Sequence, residues 1–110
     1  MKVAIVGSRS IFLENIGEYL PWQTKEIISG GAKGIDSCAA NYAKENGLKL
    51  TEFLPEYSLY GRAAPLKRND KIIENADLVI IFWDGKSKGS KYVINKCEKS
   101  GKAHVVHIIA

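Results

Sequence analysis

Short apolar runs rich in β-branched and aliphatic residues recur along the chain and predict five β-strands. Four runs are strong, and the one over 48–54 is weaker. Nearly continuous apolar runs, rather than strict alternation with polar residues, are typical of parallel strands buried on both faces of a sheet. The runs are Val3–Val6, Glu26–Ile28, Leu48–Leu54, Leu78–Phe82 and His104–Ile109.

Apolar residues at helical spacing lie between these runs and predict four helices. The second pattern is the clearest, and it stops at Asn46-Gly47, a pair typical of a helix C-terminus. The fourth pattern stops at Gly101. The four apolar faces are Phe12, Ile16, Tyr19 and Leu20; Ile35, Cys38, Ala39, Tyr42 and Ala43; Leu66, Ile72, Ile73 and Ala76; and Tyr92, Val93, Ile94 and Cys97.

The alternation of strands and helices predicts an α/β fold. We expect a Rossmann-like, doubly wound, mostly parallel five-stranded sheet with helices on both faces. The chain has 110 residues, which fits one domain over 1–110. Sheets of this kind bind ligands beyond the carboxyl ends of their strands, so the residues that follow each strand are the candidates for a site.

The segment 29–36, with the sequence SGGAKGID, follows the second strand and is the strongest local feature. Its glycines allow a ligand to approach the backbone, and the helix that begins near Ile35 adds a partial positive charge suited to phosphate. The alternative is a tight turn whose glycines only supply positive φ. Both interpretations are open, because the segment is neither a Walker A loop nor G-x-G-x-x-G. Its candidate ligand-binding residues are Ser29, Gly30, Gly31, Gly34 and Asp36.

Further candidates follow the other strands or begin helices. Arg9 offers a guanidinium for phosphate, the Arg68-Asn69 pair begins the third helix, and the turn 84–90 suits a second phosphate or ribose contact. Trp83 beside this turn can stack on a base. Ordinary roles as solvated surface, helix cap or core stay open for each. These candidates are Gly7, Ser8, Arg9, Arg68, Asn69, Trp83, Asp84, Gly85, Ser87, Gly89 and Ser90.

Composition excludes several classes of protein. No apolar run approaches the roughly 20 residues of a membrane span, and the N-terminal run stops at Gly7, too early for a signal peptide. We therefore expect a cytoplasmic protein without a membrane partner. The net charge is +4 and the isoelectric point is about 9.1, which permits an anionic partner without requiring one.

Neither the cysteines nor the histidines predict a metal site. Cys38 and Cys97 are far apart at apolar helical positions, which favours buried free thiols in a reducing compartment. His104 and His107 are three residues apart in a predicted strand, so they point to opposite faces and cannot bind one ion together. No required cofactor is indicated.

The order of the polar segments resembles the SLOG superfamily, which includes the Smf/DprA DNA-processing proteins and the Lonely Guy phosphoribohydrolases. The resemblance rests on 7–9, 29–36, 68–69 and 84–90, covers nearly the whole chain, and is nearest to the small single-domain YspA-like branch. It implies a Rossmann-like domain that binds a nucleotide or nucleotide-derived molecule at its glycine turns. It also implies assembly into a homo-oligomer, with a dimer expected.

The resemblance leaves three functions open. The first is binding or sensing of a phosphate-bearing, nucleotide-derived ligand. The second is N-glycosidic hydrolysis of a nucleotide, but aligning Gly89-Ser90 on the Gly-Thr of the Lonely Guy motif puts Val93 where the catalytic Glu stands. An apolar residue cannot stabilise an oxocarbenium-like centre, so the sequence does not decide whether the protein is an enzyme. The third is binding of single-stranded DNA, which a basic protein suits.

Overall fold

The computed structural model describes residues 1–109, whose strands form one parallel sheet in the order β3-β2-β1-β4-β5. This confirms the predicted Rossmann-like α/β fold. The order in which successive strands are added changes direction at β1. β2 and β3 lie on one side of β1, and β4 and β5 lie on the other. The strands are β1 (Lys2–Gly7), β2 (Glu26–Ser29), β3 (Lys49–Glu52), β4 (Leu78–Trp83) and β5 (His104–Ile108), and the helices are α1 (Ile35–Glu45), α2 (Tyr57–Tyr60), α3 (Ala64–Asn75) and α4 (Lys88–Ser100).

Both faces of the central strands are buried, as the continuous apolar runs indicate. Alternate residues of β1 enter different clusters, because successive side chains of a strand point to opposite faces. Ile5 belongs to the cluster that includes Ile35 of α1. Ala4 belongs to the cluster that includes Ile72 of α3 and Val93 of α4. The sheet is therefore a middle layer between α1 on one side and α3 with α4 on the other.

The prediction of a helix between β1 and β2 is wrong. This connection contains a single 3-10 turn, Ile16–Tyr19, within residues 8–25. Of the predicted apolar face, Ile16 is buried but Phe12 is 70% exposed. Tyr19 packs edge-on against Phe82, with 5.0 Å between the ring centroids.

Two residues explain why a full helix does not form there. Gly17 lies inside the segment, where it weakens a helix by loss of backbone entropy. Pro21 disfavours helical backbone at the residue before it, and Leu20 is extended, with φ −94° and ψ 141°. The apolar side chains can still reach the sheet from an irregular connection. Their spacing therefore does not distinguish a helix from an irregular connection.

The cysteines lie in different layers of the fold. Cys97 is buried on α4, and Cys38 is half-buried on α1, across the sheet, so both are free thiols. Within residues 1–109, no group of three His, Cys, Asp or Glu side chains is placed to hold a metal ion. No helix in the same range combines the length and the apolar character that crossing a membrane would need.

Gly7 ends β1 at a point where β4 and α1 leave no room for a side chain. A Cβ built at Gly7 would lie 2.6 Å from the carbonyl oxygen of Phe82 and 2.8 Å from Cγ1 of Ile35. The first contact is with the backbone of β4, a central strand that cannot shift without disturbing its hydrogen bonds to β1 and β5. Glycine at this position therefore lets the end of β1 lie against both elements.

We predict that Gly7→Ala lowers the free energy of unfolding by about 1–3 kcal/mol, because the added methyl group overpacks a rigid region. The measurement is urea unfolding followed by circular dichroism. Gly89→Ala is the control, since a Cβ at Gly89 meets nothing within 4 Å in residues 1–109. Alanine in a helical turn should change stability by less than about 1 kcal/mol. An equal effect of the two substitutions would contradict the close packing at Gly7.

Candidate functional site

A pocket of about 410 Å³ opens beyond the carboxyl ends of β1 and β4. This is where the direction of the strand order reverses, the usual ligand position in an open parallel sheet. Many of the sequence-predicted site residues come together here. Those that line the pocket are Gly7, Ser8, Arg9, Asp36, Arg68, Asn69, Asp84, Ser87, Gly89 and Ser90.

The glycine segment contributes less to the pocket than its sequence suggests. The N–H of Gly31 donates to Oγ of Ser29 at 3.3 Å, and the N–H of Ala32 donates to Oδ2 of Asp36 at 3.2 Å. These two donors are thus occupied by side chains of the protein itself. The predicted residues that do not line the pocket are Ser29, Gly30, Gly31, Gly34, Trp83 and Gly85.

Arg68 of α3 connects the glycine segment to the pocket. Its Nη1 donates to the carbonyl oxygen of Gly30 at 2.6 Å, and its Nε donates to Oδ1 of Asn69 at 2.9 Å. A Cβ at Gly30 would lie 2.5 Å from Nη1 of Arg68 and 2.9 Å from Oδ2 of Asp36, so glycine is needed for this contact. The remaining nitrogen, Nη2, has no hydrogen-bond partner among residues 1–109.

Asp36 supplies a buried carboxyl group to the pocket wall. Burial raises its pKa above the ordinary value of 3.8, and the N–H of Ala32 and the charge of Arg68 oppose this change. The pKa of Arg68 is in turn lowered by burial, against the opposing charge of Asp36. The two groups therefore stabilise each other's charge, although burial disfavours the charged form of each.

Two further polar side chains face the pocket without an internal partner. Asn69 is 8% exposed and Ser90 is 5% exposed. Oδ1 of Asn69 accepts from Arg68, which leaves Nδ2 with no partner in residues 1–109, and the same is true of Oγ of Ser90. Neither atom is fully enclosed, because no buried side-chain nitrogen or oxygen within residues 1–109 lacks a hydrogen-bond partner, so both atoms are open to the pocket. Their position in the pocket wall indicates a site for a polar ligand.

The first turn of α4 also opens into the pocket. Ser87 is its N-cap and makes no side-chain capping bond, while Gly89 and Ser90 line the pocket. The first N–H groups of a helix have no intrahelical acceptor, and they carry the positive end of the helix dipole. This terminus is therefore suited to an anion.

The turn that leads into α4 is fixed by Asp84 and Ser8. Oδ1 of Asp84 accepts from the N–H groups of Lys86 and Ser87, both at 2.8 Å, and these bonds lower the pKa of Asp84. Oγ of Ser8 accepts from the N–H of Asp84 at 3.1 Å and lies 3.0 Å from Oγ of Ser87. The segments that follow β1 and β4 are thus joined directly at the pocket.

Trp83 lies outside the pocket, whereas Val93 lies in its wall. The indole Nε1 of Trp83 donates to the carbonyl oxygen of Ser87 at 3.0 Å, and Nζ of Lys91 lies 5.7 Å from the ring centroid. Trp83 therefore supports the α4 turn from outside the pocket. Val93 is buried and lines the pocket one helical turn after Gly89, so an apolar side chain occupies the place that the resemblance gives to a carboxylate.

The remaining lining residues were not predicted as site residues. Most are apolar and read in the sequence as core or as helix positions, a signal that does not separate a pocket wall from the interior. Only Val6, near the end of β1, and Pro65 and Leu66, in the first turn of α3, have a position that points to the site. The whole set is Val6, Ser10, Ala32, Pro65, Leu66 and Ile72.

We predict that the free energy of unfolding of the wild type falls as the pH rises above 3.8, and that Asp36→Asn removes this fall. Between pH 3.8 and the raised pKa of Asp36, the folded protein keeps a proton that the unfolded chain has lost. The free energy of unfolding therefore decreases across this window as the pH rises, and it levels off above the raised pKa. Urea unfolding of wild type and variant over about pH 2.5 to 7 measures the difference.

Asp84→Asn is the control with the opposite sign. The pKa of Asp84 is lowered, so its contribution is present above pH 3.8 and is lost as the pH falls through the lowered pKa. The free energy of unfolding of the wild type minus that of this variant should increase as the pH rises from the lowered pKa of Asp84 to 3.8. Slopes of the same sign for the two variants would contradict the assignment of burial as the dominant cause at Asp36.

Comparison with known proteins shows no family for this chain. No protein-family model matches the chain, and no solved structure matches it. The chain is 27% identical over 81 residues to the Gene 61 protein of Mycobacterium phage D29. The aligned region is 68% of this chain and 65% of the phage protein, so the chain spans less than two thirds of that relative's length. The name of that relative states no activity.

Proposed function

We propose that the protein binds a phosphate-bearing, nucleotide-derived molecule in the pocket beyond β1 and β4 and acts as a binding or sensing domain. The observation that carries the proposal is the set of hydrogen-bond donors without internal partners that meet there. Nδ2 of Asn69, Nη2 of Arg68 and Oγ of Ser90 lie in the same pocket wall as the first turn of α4. A ligand rich in acceptor oxygens would satisfy them.

Phosphate fits this set better than a neutral acceptor does. A phosphate monoester carries about 1.5 to 2 negative charges and three acceptor oxygens at neutral pH. The helix N-terminus supplies N–H groups and a partial positive charge, and Arg68 supplies a full charge close by. Arg9 adds a second guanidinium on the exposed side, with no hydrogen bond or ion pair within residues 1–109.

The rest of the pocket favours a ligand larger than inorganic phosphate. Its volume of about 410 Å³ lies in the range of small-molecule sites, which is about 300–1,000 Å³. Val6, Pro65 and Ile72 form apolar walls, while Asp36 and Asp84 offer oxygens that can accept from sugar hydroxyl groups. The resemblance to SLOG proteins supports a nucleotide-derived ligand of this kind.

We predict that Asn69→Asp abolishes binding of the phosphate-bearing ligand without loosening α3. The carboxylate still accepts from Nε of Arg68, but it replaces a free donor by a negative charge in the pocket. Thermal unfolding is measured with a panel of nucleoside mono- and diphosphates. For the wild type, a ligand at 100 times its Kd should add about 2.7 kcal/mol to stability, and the variant should show no gain.

Asn75→Asp is a matched control in the same helix. Nδ2 of Asn75 donates to the carbonyl oxygen of Lys71 on the exposed side of α3, and the residue does not line the pocket. This variant should bind as the wild type does. The proposal is contradicted if no member of the panel stabilises the wild type, or if Asn69→Asp and Asn75→Asp weaken binding equally.

A further inference from the structure

Strand β5 forms one edge of the sheet, and no strand within residues 1–109 lies beyond it. The N–H of Val79 donates to the carbonyl oxygen of Ala103, just before β5, at 3.0 Å. The N–H of Ile109, just after β5, donates to the carbonyl oxygen of Trp83 at 2.8 Å. Because the backbone groups of successive residues alternate in direction along a strand, the odd-numbered residues of β5 bind β4. The N–H and carbonyl groups of the even-numbered residues therefore point to the open edge.

The side chains of β5 do not protect this edge. The strand contains no Asp, Glu, Lys, Arg or Pro, and its exposed side chains are apolar. Val105 is 43% exposed and Ile108 is 68% exposed. The opposite edge strand, β3, carries the exposed charged residues Lys49 and Glu52. Because charged side chains on an edge strand commonly prevent pairing with another chain, β5 is the edge suited to a further strand.

The edge of β5 is complementary to an antiparallel copy of itself, related by a two-fold axis at Val106. In this register Val106 faces Val106 of the second copy, and His104 faces Ile108 of the second copy. These are pairs that exchange two backbone hydrogen bonds, so every outward N–H meets an outward carbonyl oxygen. Between them, Val105 faces His107 of the second copy. Each exposed apolar side chain of β5 therefore packs beside an imidazole ring.

Helix α4 has a complementary charge pattern beside β5. The hydroxyl of Tyr92 donates to Oδ1 of Asp70 in α3 at 2.8 Å, so this side of α4 faces α3. Helical spacing puts Lys91, Ile94 and Glu98 on the opposite side, toward the β5 edge. Ile94 is half-buried against the apolar cluster on this face of the sheet. A two-fold axis makes the two copies of α4 antiparallel, which turns Lys91 of one copy toward the Glu98 end of the other.

We propose that β5 pairs with β5 of a second copy of this chain, antiparallel about a two-fold axis at Val106, so that one sheet continues across a homodimer. The partner is a second copy rather than an unrelated strand, because the edge complements itself in hydrogen bonds, apolar contacts and charge. The pairing closes the assembly, since the other edge of each sheet is charged. Residues His104–Ile108 contribute nothing to the pocket wall, so this inference is independent of the proposed function.

Sedimentation velocity of the wild type over a range of protein concentrations should show a reversible monomer–dimer equilibrium. Ile108→Lys should weaken the dimer about tenfold or more, because a charge replaces an apolar contact in both copies. Leu59→Lys is the matched control, since Leu59 is 67% exposed but lies on α2, away from β5. This variant should dimerise as the wild type does.

Val106→Pro tests the backbone hydrogen bonds of the interface. The N–H of Val106 points to the open edge, so proline at this position removes a donor to the second copy and no bond to β4. We expect a monomer in sedimentation velocity whose circular dichroism spectrum matches that of the wild type.

Cysteine cross-linking tests the register, and it decides the question if the proline variant does not fold. The two copies of Val106 would have Cα atoms about 5.5 Å apart, within the range of a disulfide, so Val106→Cys should form a covalent dimer under mild oxidation. Ile108→Cys is the control at a more exposed position. Its cross-link should form more slowly, because Ile108 faces His104 of the second copy. The wild type, with its free thiols Cys38 and Cys97, gives the background.

Several results would overturn the inference. One is a wild type that remains monomeric at every concentration. Another is a dimer that Ile108→Lys and Leu59→Lys weaken equally, or that a folded Val106→Pro still forms, because the interface then lies elsewhere. Faster cross-linking of Ile108→Cys than of Val106→Cys excludes the register with its axis at Val106. Species larger than a dimer exclude the closed two-fold pairing.

Discussion

The buried guanidinium of Arg68 holds the site together. One nitrogen binds the carbonyl oxygen of Gly30 at the end of β2, and another binds Asn69 in the same helix. A fixed cation inside the protein is tolerable only when it is hydrogen-bonded and has a counter-charge nearby, which Asp36 supplies. Removal of any one partner would leave a buried polar group without compensation. This network therefore sets the positions of the glycine segment and α3 relative to each other.

The pocket follows from this arrangement. Because Oδ1 of Asn69 is used by Arg68, its Nδ2 must point elsewhere, and the residue lines the pocket. The N–H groups of Gly31 and Ala32 are taken by Ser29 and Asp36, so the glycine segment serves mainly to support Arg68. The N–H groups that suit an anion lie instead in the first turn of α4, which has no side-chain cap. The support of Arg68 and the proposed anion site are thus in two different turns that resemble each other in sequence.

Much of this could be predicted from local patterns. The four strong apolar runs and the patterns of α1, α3 and α4 predict elements that the structure contains. The pattern over 12–20 failed, because Gly17 and Pro21 prevent a continuous helix while the side chains still reach the core. Several polar residues that follow β1 and β4 meet at one pocket because the carboxyl ends of neighbouring parallel strands share an edge.

The sequence by itself determined the layered parallel sheet, since burial on both faces requires continuous apolar strands. It also determined that the polar residues follow the carboxyl ends of the strands. Only the tertiary structure decided which donors are free, because Gly31, Ala32 and Asn69 differ in what neighbouring segments offer them, and those neighbours are distant in sequence. Hydrogen-bond partners and exposure are properties of the assembled chain, so no local pattern contains them.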